Sequence, residues 1–216
     1  MIISMQIIDF ILNKIIARIN FVSVKYLLTG REYDITNDDL DKIESLLKKE
    51  NLIILTWRST HLTSYFISCA HYILCLITGQ KLKFGRWSHC AINIEYEELD
   101  RGQMRIFEAI GTGVSRNRFE DIFNCDRACL LRVKGFPAET TSEALRSYLE
   151  KQVGKKYDTL FNLKTDSKQS CVELVYHSLK SYGYPLHSLE ETVRTYKNLT
   201  PQMYYDCGDF EVVYEC

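Results

Sequence analysis

Several absences narrow the reading before any motif is considered. No Lys/Arg-dense run occurs, and 27 basic residues nearly cancel 28 acidic ones, so a nucleic-acid-binding face is not expected. None of the eight cysteines (69, 75, 90, 125, 129, 171, 207 and 216) forms a CxxC pair, and at 216 residues the chain is too long to need a disulfide framework. A reducing compartment is the simpler reading. Cys125 and Cys129 lack a companion Cys or His pair at ligand spacing, so neither a metal nor another cofactor is expected. No Pro-, Gly- or Ser-rich linker divides the chain. The first residues carry no basic run ahead of their apolar ones, and Asp9, Lys14 and Arg18 interrupt the stretch, so no signal peptide is expected. The location this favours is cytoplasmic, or associated with a virion or host cell.

What is present is apolar enough for a sizeable core, at 46% hydrophobic residues. Ile7, Ile8, Phe10, Ile11, Ile15, Ile16 and Ile19 recur at helical spacing and suggest an amphipathic helix, packed on the domain in preference to a membrane surface. Ser59 to Gln80 contains no Lys, Arg, Asp or Glu. Its length would span a bilayer, but its serines, threonines and His61 and His71 each need a polar partner, which favours a helix over 61–78 buried within the domain. Thr36 caps an expected helix from Asp38 to Lys49. Residues 1–50 therefore read as a helical extension, and residues 51–216 as one further domain.

Within that domain, Leu52 to Trp57, Arg86 to Tyr96, Gln103 to Ile110, Ala128 to Val133 and Phe210 to Tyr214 read as strands. The charged stretch Glu97 to Gly102 suits a hairpin loop between the second and third, and Gly111-Thr112-Gly113 ends the third. Thr140-x-x-Glu143 caps a helix running to about Val153, with Gly154 as its stop. Ser170-x-x-Glu173 caps another, with Val172, Val175, Leu179 and Tyr182 on one face and Gly183 and Pro185 ending it. Helices with mainly antiparallel strands make the fold class α+β.

The second capping box puts Cys171 at the first helical position, where unpaired backbone N–H groups and the helix dipole favour thiolate over thiol. A nucleophilic cysteine needs a base, and usually a group to orient that base. Strand alternation places Trp87, His89, Ala91 and Asn93 on one face and Ser88, Cys90, Ile92 and Ile94 on the other. A hairpin turning near residues 99 and 100 sets Glu108 opposite Ala91 or His89, and either register leaves it beside His89. Cys90 adjoins His89, but adjacent strand side chains diverge, which favours Cys171 as nucleophile. His61 and His71 read as core or cap residues, His177 and His187 as surface ones. By residue type alone, a cysteine at a helix start is more often an inert small hydrophobe, and His89 and Glu108 more often structural or solvated.

The ordered set Ser88-His89, Phe107-Glu108-Ala109 with Gly113-Val114, Gly154-Lys155-Lys156-Tyr157-Asp158 with Phe161, and Cys171-Val172-Glu173-Leu174-Val175 resembles the circularly permuted NlpC/P60 papain-like family, with its YiiX-type and poxvirus-type members. The resemblance covers about residues 51–216. It implies a permuted papain-like fold with an antiparallel sheet against the nucleophile helix. It also implies Cys171 as nucleophile, His89 as general base and acid, Glu108 as the group orienting His89, and Tyr157 as an oxyanion candidate. The implied activity is a cysteine peptidase or amidase working through an acyl-enzyme, with a peptide or other amide or acyl substrate and, by analogy, cell-wall peptides. A lipid-directed acyltransferase or thioesterase with the same triad, and a non-catalytic binding protein retaining the fold, are the alternatives.

Overall fold

A computed structural model describes residues 34–59, 61–81, 83–94, 101–135, 143–159, 163 and 167–216, and only the backbone of Leu62. The expected helix over 7–19, most of the 97–102 loop, the Thr140 cap and Phe161 lie outside the described residues.

The chain runs α1 (Asn37–Leu47), β1 (Ile53–Trp57), α2 (Leu62–Ile77), β2 (His89–Ile92), a 3-10 turn (Arg101–Gln103), β3 (Arg105–Ile110), β4 (Gly113–Arg118), α3 (Phe119–Phe123), β5 (Arg127–Val133), α4 (Glu143–Gln152), α5 (Cys171–Ser181), α6 (His187–Tyr196), α7 (Pro201–Asp206) and β6 (Phe210–Glu215). The six strands form one antiparallel sheet in the order β4-β3-β2-β1-β5-β6. This is the expected α+β class. The sequence reading missed β4, α3, α6 and α7.

Alternation along the strands divides the core in two. Leu55, Cys90, Ile92, Phe107 and Leu131 face the layer containing α5 and its Val172, Leu174 and Val175. Ile54, Ala91, Ile106 and Leu130 face Ile43 and Leu47 of α1 and Phe119 and Ile122 of α3. Trp87, expected on the face of Ala91, packs with the other cluster, because β2 begins only at His89 and strand alternation does not extend back to residue 87. Asn93 ties the second layer to the sheet: its amide donates to the Leu47 and Glu50 carbonyls while its oxygen accepts the Leu52 N–H at 2.7 Å. One side chain thus satisfies carbonyls at the end of α1 and a donor at the start of β1.

The 61–78 prediction matches α2 in extent but not in setting. Among its described side chains Ser64, Ser68, His71 and Cys75 are the buried ones, whereas Phe66, Ile73, Leu76 and Ile77 are exposed. The polar groups that argued for burial do find partners inside, but the apolar stripe faces out.

Candidate active site

Ser170 is the N-cap of α5, with extended backbone, and the capping box closes from both sides. The Ser170 N–H donates to Glu173 Oε2 at 2.6 Å, and the Glu173 N–H donates to Ser170 Oγ at 3.4 Å. Glu173 Oε1 also accepts the Leu163 N–H at 2.7 Å, so one buried carboxylate fixes the helix start to the chain before it. Burial raises the Glu173 pKa, against hydrogen bonds that lower it. From the next layer, the buried Tyr204 hydroxyl donates to the Val172 carbonyl at 2.7 Å.

His89 opens β2, two residues before pairing with β3 begins at Ala91. The register is Ala91 opposite Glu108, the first of the two expected alternatives. It brings His89 Nε2 to 2.6 Å from Glu108 Oε2. The other carboxylate oxygen of Glu108 accepts a hydrogen bond from the Asn117 side-chain amide. Burial alone would push the Glu108 pKa up, but the hydrogen bond and charge of His89, with Asn117, hold it below the ordinary value. Asn117 is a partner of Glu108 that sequence reasoning missed, because it sits on the unforeseen strand β4.

With Nε2 engaged by Glu108, Nδ1 is the ring nitrogen left for Cys171, and the imidazole is hydrogen-bonded to that sulfur as well. Burial opposes the imidazolium, yet the hydrogen bonds and charges of Cys171 and Glu108 overcome it and raise His89 to about 9. The Cys171 thiol moves the opposite way, well below 9.0. The largest cause is a hydrogen bond from the Cys90 side chain; burial works against it, and His89 and the Cys90 backbone also lower it. The pair is therefore poised as thiolate and imidazolium.

Cys90 and His89 diverge as expected, but Cys90 takes a part beside Cys171 that the sequence reading did not give it. Strand alternation does send it to the face opposite His89, but α5 packs on that face, so Cys90 meets the Cys171 sulfur directly. Burial and the neighbouring sulfur raise the Cys90 pKa well above 9.0, which keeps its S–H as a donor. Its backbone N–H contributes for a related reason. The Asn93 N–H bonds to Leu52, so alternate residues of β2 turn their N–H groups toward β1 and leave that of Cys90 on the side of β3. Pairing with β3 starts one residue later, leaving this donor for the sulfur.

Tyr157 is buried and hydrogen-bonded to Cys171; burial first, then the charge and hydrogen bond of the sulfur, raise its pKa well above 10.0, so it remains a neutral donor. A ladder of backbone bonds holds it there. The Val114 N–H donates to the Lys155 carbonyl at 2.8 Å, the Gly154 N–H to the Val114 carbonyl at 2.9 Å, and the Gln169 N–H to the Lys156 carbonyl at 2.9 Å. Gly113 permits this close approach: its φ is +120°, and a Cβ there would lie 2.4 Å from the Lys155 oxygen.

Among the other histidines, His61 caps α2 and feels the charge of His89. His71 Nδ1 and Thr200 Oγ1 are 2.9 Å apart, within the core. His187 is exposed at the start of α6, and His177 lies half-buried in α5. Burial pushes both Cys125 and Cys129 up to about 12, the reverse of what a metal-ligating thiolate needs.

Over residues 53–214 the chain matches the family described as permuted papain-like amidase enzyme, YaeF/YiiX, C92 family. Among solved structures it is similar to the metalloprotein YiiX from Escherichia coli O157:H7, with a TM-score of 0.51 and 15% sequence identity over 79% of this chain and 98% of that one. No curated protein matches it.

Proposed function

The chain belongs to the permuted papain-like amidase family, YaeF/YiiX, C92, and from that premise we propose that it hydrolyses an amide with Cys171 as nucleophile, His89 as acid and base, and Glu108 as the group that orients His89. The observation that carries this reading is His89 Nε2 held 2.6 Å from Glu108 Oε2, with Cys171 at the first position of α5 as its other partner; in keeping with it, the thiol lies below its ordinary value and the imidazole is raised to about 9. The Cys171 thiolate attacks the acyl carbon, and charge moves onto the carbonyl oxygen. The Cys171 backbone N–H, at the open end of α5, and the Tyr157 hydroxyl are the donors for that oxygen. Collapse expels the amine, which takes the Nδ1 proton of His89 and leaves a thioester. Neutral His89 then removes a proton from water, hydroxide attacks the thioester, and the Cys171 thiolate departs as His89 is again protonated. Glu108 stays ionised throughout and keeps Nε2 protonated.

Although YiiX is described as a metalloprotein, no group of three or more His, Cys, Asp or Glu stands in ligating arrangement among the described residues here. These residues do not fit a metal site, and no step above runs through one. By analogy to the family, peptides of the cell wall are the substrate class to try first.

The test combines a peptide and amide substrate panel with mass spectrometry of the quenched enzyme. Wild type is expected to accumulate an acyl adduct on Cys171, and Cys171→Ala to lose both adduct and turnover. Glu108→Gln is expected to lower kcat by about 10²- to 10⁴-fold, because the imidazolium loses its ionic partner. Turnover retained by Cys171→Ala would sink the proposal.

A further inference from the structure

Helix α2 is built inside out. At the spacing of one helical face, Ser64, Ser68, His71 and Cys75 are buried. Each is partnered: Ser64 Oγ accepts from Ser88 Oγ at 2.8 Å, Ser68 Oγ donates to the Gly85 carbonyl at 2.7 Å, and His71 joins Thr200 on one side and Cys75, at 3.6 Å, on the other. The opposite face carries Tyr65, Phe66, Ile73, Leu76 and Ile77, continued by Phe84, all 48% to 74% exposed. Phe84 stacks on Tyr72 at 4.6 Å, so the patch is one aromatic and aliphatic strip. Such a strip is larger than scattered surface residues explain.

We propose that this face of α2 docks the protein on an anionic lipid surface, with the helix lying in the plane of the headgroups. Three observations favour lipid over a protein surface. Ser59 to Gln80 has no charged residue, so the strip offers no ionic group to fix the register of a folded partner. From Asn51 to Ile94 there is no Asp or Glu, while Lys81 is exposed just past the helix; Lys83 follows it, paired to Asp206 at 2.5 Å, so Lys81 is the cation this edge offers to anionic headgroups. Tyr65 and Tyr72 place amphipathic rings on the helix, the residue type that settles at a membrane–water boundary. No helix among the described residues is long and apolar enough to cross a membrane. The sixteen residues of α2 span about 24 Å, which suits an in-plane arrangement.

The strip starts beside the proposed active site. Ser64 bonds to Ser88, the neighbour of His89, and Tyr65 meets Trp57 edge-on at 5.4 Å. His61, the N-cap of α2, feels the charge of His89. Docking would therefore bring Cys171 within the headgroup region and select an amide or acyl group carried by a lipid-anchored substrate. That last clause rests on the hydrolase reading; the docking does not.

The experiment is co-sedimentation of the full chain with vesicles of phosphatidylcholine containing a minority of phosphatidylglycerol, alongside melting curves and light scattering of the protein alone. Wild type and Cys171→Ala are expected to bind equally, which keeps this test independent of catalysis. Phe66→Glu and Ile77→Glu are each expected to weaken partitioning by about ten-fold or more with Tm unchanged. Binding by both variants equal to wild type would overturn the proposal, as would no sedimentation of wild type. So would a marked fall in Tm, or a wild-type dimer that the substitutions convert to monomer, since either would mean that protein already covers the strip.

Discussion

At the scale of single residues, the proposed site rests on opposed proton affinities, and a pH profile tests it directly. Cys171 ionises below 9.0 and His89 holds its proton to about 9, so the reactive ion pair exists between those two values. The expected kcat/KM rises as pH climbs through the Cys171 ionisation and falls as pH passes through about 9 with loss of the His89 proton. A profile still rising above that point contradicts the assignment. Cys90 offers a sharper test, because its hydrogen bond is the largest cause of the low Cys171 value. Cys90→Ala is expected to move the acid limb of Cys171 alkylation upward in pH, whereas Cys90→Ser, which keeps a donor, holds it nearer wild type. Unshifted alkylation in Cys90→Ala would remove Cys90 from the site. The places of Cys171 at a helix start and of His89 beside Glu108 were legible in the sequence because each depends on a local rule: a cap, an alternation, a hairpin register. The contribution of Cys90 was not. It depends on which face of the sheet α5 covers, and nothing within β2 states that.

Among the elements, β4 is the one whose absence from the sequence reading matters most. Its Ser115, Arg116, Asn117 and Arg118 lack the apolar alternation of a half-buried strand, since among the described strands it lies at the sheet edge, paired with β3. Gly113-Val114 was visible as part of a motif, but its use is structural: it admits the Lys155 carbonyl and so ties Tyr157 and the approach to α5 onto the edge of the sheet. Gly113→Ala is expected to cost about 1–3 kcal/mol, because both the positive φ and the backbone oxygen at 2.4 Å oppose a Cβ. Urea unfolding checks the stability, and turnover should fall with it as Tyr157 shifts. Gly102→Ala, with nothing within 4 Å of the added carbon, is the control expected to change neither. Helix α2 teaches the complementary lesson. Composition identified its extent, since uncharged residues and helical length are local properties, and its polar residues do find partners inside, but the expectation of a helix buried within the domain left out the apolar face that stands exposed. Only the partners at Ser88, Gly85 and Thr200 decide which face is buried, and they come from distant parts of the chain.

For the molecule as a whole, five of the strands were readable along the chain, but their order in the sheet was not: only β2–β3 and β3–β4 join strands close in sequence, while the pairings of β1 with β2 and β5, and of β5 with β6, are long-range choices. That assembly buries titratable groups on both layers, and they set a pH window for folding. Burial lowers the His61 and His71 values below 6.5, so the folded state resists protonation that the unfolded chain accepts. Their contribution is present above 6.5 and is lost as pH falls through their folded values. On the alkaline side, burial raises Cys125, Cys129 and Cys207 from 9.0 to about 12. Stability tied to their protonated forms is present below 9.0 and is lost as pH rises toward about 12, while His89 gives up its proton near about 9. Between about 6.5 and about 9 the proton that folded His89 keeps lowers stability as pH rises, while the proton that folded Cys171 has already lost acts in the opposite sense; urea midpoints are therefore expected to change least in that window and to fall on both sides. Cys129→Ala separates this account from general alkaline damage. It lowers the midpoint everywhere by leaving a small cavity in the sheet layer, yet it should make the decline above 9.0 shallower, because one thiol no longer ionises on unfolding. An alkaline slope unchanged in Cys129→Ala would show that the buried thiols do not set that limb.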